Sequence, residues 1–237
     1  MLIKLSMMKG TLVLSYVAVF SFFLIIPQEF VSARQSQPHG KVEGVVLLTA
    51  KETSVSVGGR YGRPSRSAGS TASVTDSVLI WLESSSSSSG KASETPVLLD
   101  QKDLSFSPSL LPVRQHGSVR IRNSDPVYHN VFSLSPKKRF DVGRRPKGQY
   151  LDVTFDQPGA VDVFCDIHSN MRATIYVMPP SVITWTKVKN GDSFSFDHIA
   201  SGDYQLRVYA LGYQEKAIPV EIISEEAIEV GTVTLNF

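Results

Sequence analysis

Only one cysteine occurs in the chain, so no internal disulfide can form and a small cross-linked scaffold is excluded. Charge of one sign is lacking too: 24 Lys and Arg stand against 22 Asp and Glu. The resulting net charge of +2 gives no footing for a nucleic-acid surface. No segment of the body of the chain carries a sustained helical period. An apolar fraction of 42% over 237 residues still predicts a well-filled core, in one or two domains.

One long apolar run is present, at the N-terminus. Lys4 and Lys9 precede TLVLSYVAVFSFFLII, and Val31-Ser32-Ala33 offers the small residues that a signal peptidase reads. The run ends at Pro27, short of the ~20 residues that span a bilayer comfortably. Residues 1–33 are therefore expected to be a signal peptide, and the product to be exported, periplasmic or secreted. Membrane attachment is expected only if that segment stays uncleaved. An unpaired thiol in an oxidising compartment then needs burial or a ligand role.

Beyond that segment the chain is β-rich. VEGVVLLTA and SVLIWLE read as strands separated by a Gly/Ser/Arg-rich stretch, and SSSSSSGKASE reads as a flexible linker over residues 84–96. SVRIRN, HNVFSL, YLDVTF, AVDVFC and RATIYVM come next as short strands punctuated by Pro, Gly, Asn and Asp, the rhythm of an antiparallel sandwich. Val182 onward supplies a last set, from ITWTKV to IEVGTVTLNF. The chain is predicted to be all-β.

The lone cysteine sits in FCDIHSNM, with a histidine and a methionine at successive three-residue intervals after it. Val161, Val163 and Cys165 alternate with polar or outward residues, so the thiol ends the inward row of a strand. Thiolate and thioether sulfurs are soft donors and imidazole is borderline; two His, one Cys and a weak Met form a blue-copper set. His168 and Met171 share the loop with Cys165, and His129, opening a strand after the NSDP turn, is the candidate for the remaining ligand. Zinc also accepts Cys/His sites, but a methionine favours copper.

NSDPVYHNV, PGAVDVFCDIH and the methionine before IYV make residues 97–179 resemble a cupredoxin, of the plastocyanin and amicyanin kind. The Cys-x-x-His-x-x-Met spacing is similar to that of the short amicyanin loop. The resemblance implies a Greek-key sandwich holding one mononuclear type 1 copper at His129, Cys165, His168 and Met171. Asn130 would bond the thiolate sulfur through its amide and tie the two ligand loops with its side chain, and Tyr128 would shape the surroundings of the metal. No chemistry on a substrate is expected, only single-electron transfer between partner proteins. Lys137, Lys138, Arg139, Arg144, Arg145 and Lys147 form a dense basic stretch between strands. This is either a solvated hairpin loop or a docking face for an acidic redox partner.

The phrase FDVGR-x-P-KGQ is similar to one in exported methylamine-utilisation-like proteins. FDHIASGDYQLRVYALGYQEKAI resembles the end of a carboxypeptidase regulatory-like, or prealbumin-like, sandwich, whose opening matches VEGVVLL and DSVLIWLE far upstream. Residues 41–83 and 181–237 are thus expected to form a second sandwich into which the copper domain is inserted. That resemblance raises a second reading, a module binding carbohydrate or protein with Trp81 and Trp185 as its aromatic platform, and the metal donors leave a third, copper delivery or storage. Core packing is the commoner fate of such tryptophans. His39, His116 and His198 lack ligand spacing and read as surface residues.

Overall fold

Alternation decides the strands. In GSVRIRN, Val119 and Ile121 are buried while Arg120 and Arg122 remain partly exposed, as a period of two requires. The computed structural model describes residues 39–49, 77–86, 90–223 and 226–237, and the segment expected to be a signal peptide lies outside them. Among the described residues there is no helix. Sixteen strands account for the regular structure of these residues.

The strands run β1 (His39–Leu48), β2 (Ser77–Ser84), β3 (Val97–Lys102), β4 (Ser105–Ser107), β5 (Leu110–Arg114) and β6 (Gly117–Asn123). They continue with β7 (His129–Ser133), β8 (Phe140–Arg145), β9 (Tyr150–Phe155), β10 (Gly159–Cys165) and β11 (Arg172–Met178). The last are β12 (Val182–Lys189), β13 (Ser193–Ala200), β14 (Gly202–Ala210), β15 (Lys216–Ile222) and β16 (Ala227–Leu235).

Strands β3 to β11 form two sheets, in the orders β5-β11-β10-β7-β8 and β4-β3-β6-β9, closed over a core that includes Leu99, Val131, Phe155 and Val163. The flanking strands form two more, β13-β1-β16 and β12-β2-β14-β15, around Val46, Ile80, Leu206 and Val233. Two sandwiches result. Strands 39–48 and 227–235 lie side by side and parallel, with Lys41 opposite Ala227.

Strand β2 explains how the sandwiches meet. Its run of five buried residues, Val78 to Leu82, faces apolar surroundings on both sides. Val78, Ile80 and Leu82 enter the second core, and Leu79 and Trp81 join Leu110, Tyr176, Met178 and Val182 at the seam. The Trp81 ring lies 4.9 Å from Tyr176, which lies 4.8 Å from Tyr209. The Tyr176 hydroxyl donates to Glu215 Oε2 at 2.7 Å. Burial, and then that carboxylate, push the phenol far above its ordinary pKa. Trp81 is 1% exposed and its Nε1 donates to Glu83, so it offers no platform for a sugar. Trp185 is half-buried beneath the Arg114 guanidinium.

The basic stretch contains a strand that its charges conceal. Only Val142 of β8 is fully buried, and the strand carries a bulge opposite Val131 where Gly143 adopts φ +70°. It is the edge strand of its sheet and carries Arg144 and Arg145, while Lys137, Lys138 and Arg139 stand in the hairpin loop that joins it to β7.

Candidate metal centre

His129 opens β7 and Cys165 closes β10. These neighbouring strands pair Cys165 with Val131, which places both donors at one end of the first sandwich. The loop between Cys165 and Met171 folds back on itself. Met171 N donates to His168 O at 3.0 Å and Cys165 N to Met171 O at 3.3 Å, so His168 returns over the thiol. Asp166 N donates to Asn130 O at 3.2 Å, and Asn130 Nδ2 reaches Asp166 Oδ2 at the same distance. The side chain of Asn130 thus ties the two ligand segments together. Among the described residues its amide makes no bond to the sulfur, whose polar neighbours are the two imidazoles.

Three donor atoms converge. His129 Nδ1 and His168 Nδ1 lie 3.0 Å apart, and Cys165 Sγ lies 3.6 and 3.9 Å from them. Ligand bonds of about 2.0 Å to nitrogen and about 2.3 Å to sulfur from one central ion produce sides of this length. His129 is 0% exposed, Cys165 4% and Met171 1%, while His168 reaches the surface in part. Met171 packs in the same apolar cluster as the thiol, so a thioether completes the buried donor set. Two imidazoles and two sulfurs fit a soft, thiophilic ion such as copper.

Behind His129 stands Asp125. Its Oδ2 lies 2.9 Å from His129 Nε2, and its carboxylate also accepts the amides of Asp103 at 2.7 Å and Leu104 at 3.0 Å. Those two residues sit at φ 55° and 54°, consecutive left-handed positions in the turn from β3 to β4, which aim both amides at the acid. Burial raises the Asp125 carboxyl, but the bonds from His129, Leu104 and Asp103 outweigh it and hold it below the usual carboxylate range. An ionised carboxylate only accepts hydrogen bonds. His129 therefore carries its proton on Nε2 and keeps the Nδ1 lone pair for an ion. Asn123 braces the same segment, donating to Val127 O at 2.7 Å and Arg145 O at 2.8 Å while accepting from Asp125 N. Asp125 is not among the residues that the sequence pattern singles out. Its one signal there is an acid four positions before the histidine, across the NSDP turn that closes it onto the ring.

Above His168 lies an open depression of about 360 Å³ lined by Val127, Tyr128, Arg144 and Ile167. Tyr128 is 58% exposed, so its ring belongs to this surface. The basic residues divide. Arg144 and Arg145 pair with Asn130 and His129 at the donor end of β8. Lys137 donates to Pro158 O and Lys138 lies 3.9 Å from Asp156, both at the opposite end of the sandwich. Arg139 precedes β8 at that far end, and Lys147 comes after it, exposed, beyond the near end. Among the other histidines, His116 lies 3.2 Å from Asp156 at the surface.

No family model matches the chain, and no curated protein matches it. Solved structures similar to part of it include a reduced mutant of amicyanin, at 20% identity and TM-score 0.34 over 38% of this chain and 90% of that one. A second is the Cu-containing nitrite reductase from Thermus scotoductus SA-01, at 24% identity and TM-score 0.35 over 36% of this chain and 23% of that one. A third is the purple cupredoxin from Nitrosopumilus maritimus, at 19% identity and TM-score 0.32 over 35% of this chain and 99% of that one. At such scores the likeness assigns no chemistry to this chain, and the case for a metal stands on the donor atoms.

Proposed function

We propose that this is an exported cupredoxin-like protein that binds one copper ion and passes single electrons between partner proteins. The observation that carries the reading is the triangle of His129 Nδ1, His168 Nδ1 and Cys165 Sγ, two corners of it buried. A copper ion held there with Met171 would supply a one-electron couple. The chain's own residues do the rest. Asp125 fixes the tautomer of His129, Asn130 and Asp166 hold the ligand segments in register, and the apolar packing around Cys165 and Met171 keeps water out. His168 is the donor nearest the surface, ringed by Val127, Tyr128 and Ile167, where a partner can approach. Arg144 on that rim gives the approach a preference for an acidic partner.

The second sandwich, prealbumin-like in its sequence, serves in this reading as the rigid base of the copper domain. Copper titration of the purified protein, followed by visible absorption and EPR, tests the proposal. One equivalent should give an intense thiolate-to-copper band with narrow hyperfine splitting, and both should vanish in Cys165→Ala. A colourless protein, or copper signals that survive the substitution, would overturn it. Rapid release of copper to an acceptor would instead favour delivery or storage.

A further inference from the structure

Between the end of β5, the start of β6 and the segment before β3 lies a cavity of about 170 Å³, remote from the metal donors in the fold. Pro112, Val113 and Trp185 supply apolar wall, and Ser93 and Ser118 supply hydroxyls. Arg114 brings a full positive charge to it. Its guanidinium carbon lies 4.7 Å from the centre of the Trp185 ring, and Nη1 donates to Val182 O at 3.0 Å. That bond uses one of the five N–H donors of an arginine. Among the described residues no carboxylate pairs with it. Burial pulls its pKa down, as expected of a cation short of both water and a counter-ion. Glycine at position 90 leaves the guanidinium its room, since a Cβ there would meet Nη1 and make the side chain shift. Lys91, also on the wall, adds a second positive charge; its partner Glu94 stands 3.8 Å away and both are largely in solvent.

We propose that this cavity binds a small monocarboxylate with a short apolar body. The planar guanidinium matches a carboxylate with two parallel hydrogen bonds, which a point charge does not. Pro112 and Val113 suit an apolar body. The volume admits on the order of half a dozen non-hydrogen atoms at a time, which suits a short apolar body behind the carboxylate. This inference stands independently of the copper reading.

Calorimetric titration of the purified protein with butyrate, benzoate and inorganic phosphate, with and without copper, tests it. One carboxylate should bind saturably at one site, and Arg114→Gln should weaken it at least tenfold. Because that change also removes the bond to Val182, Ser93→Trp serves as a second variant. It blocks the cavity from an exposed loop position and should abolish binding while leaving the melting temperature unchanged. Absence of saturable binding, unaltered binding in Ser93→Trp, or phosphate binding as tight as carboxylate would each overturn the proposal.

Discussion

The two sandwiches differ most in what they bury. Gln101, Asn123, Asp125, His129, Asn130, Ser133 and Thr174 are the buried polar residues among those described, and all belong to β3–β11 or the loops between them. The core cluster of the second sandwich is apolar but for the hydroxyl of Tyr204, which donates to Ala200 O at 2.8 Å. An unpaired polar group in an apolar core costs about 1–3 kcal/mol. Four of those seven residues stand within a few positions of His129. Such a concentration sets the donor end of the first sandwich apart from the apolar core of the second.

The sharpest break of this contrast is Trp81→Ala. Removing the seam's largest side chain should cost about 3–5 kcal/mol in denaturant unfolding. The spectrum of the copper-loaded protein should nevertheless persist in the folded fraction. Loss of the colour before the fold would show that the seam supports the donor set as well.

Asp125→Asn comes next. It keeps a similar shape but removes the charge that orders His129 and the two turn amides. Metal affinity should fall about 10–100-fold, measured by competition with a chelator. Equal affinity would reduce Asp125 to a bracing role in the turn.

Much of this is legible in the sequence because the physics is local. Alternation in SVRIRN and AVDVFC announces β6 and β10, and the all-β class comes with it. The Cys-x-x-His-x-x-Met spacing places three donors on one loop, and the structure brings His129 Nδ1 to them. Other features depend on distant partners and so leave no local trace. Strand β8 stays hidden because one buried valine among charged residues and a left-handed glycine does not read as a strand. Asp125 draws no notice because the two amides that aim it at His129 lie more than twenty positions away. The basic stretch looks like one patch in the sequence, and only the length of β8 separates its ends.

Acid sharpens the contrast further. Burial raises the Asp100 carboxyl, but Arg122 and Ser124 outweigh it and hold it below the ordinary range, the same direction as Asp125. Groups with depressed folded values stabilise fully above their unfolded pKa of about 3.9 and lose that contribution as pH falls through the folded value. Methyl NMR signals of Val119 and Ile121 should therefore broaden on acidification below about pH 4 before those of Ile80 and Leu206. The reverse order would contradict the contrast.

The smallest effect is expected from Ile167→Ser, at a position 38% exposed beside His168. Stability should shift by no more than about 0.5 kcal/mol. The absorption spectrum should not change, while electron self-exchange of the copper-loaded protein slows. An unchanged exchange rate would move the docking surface away from this rim.

The nesting of one sandwich within the other also sets an order of assembly. Residues 97–178 form a contiguous stretch and can close their sheets as soon as they are synthesised. Strand β1 meets β16 only when nearly the whole chain is available; the bond from Thr49 to Leu235 spans 186 positions. Contacts so distant in sequence form slowly, because loop closure must precede them. During that interval β1 and β2 hold unpaired apolar edges, the kind of surface on which growing chains associate wrongly. A completed first sandwich shortens the wait by holding residues 97 and 178, and with them β2 and β12, within reach of one another.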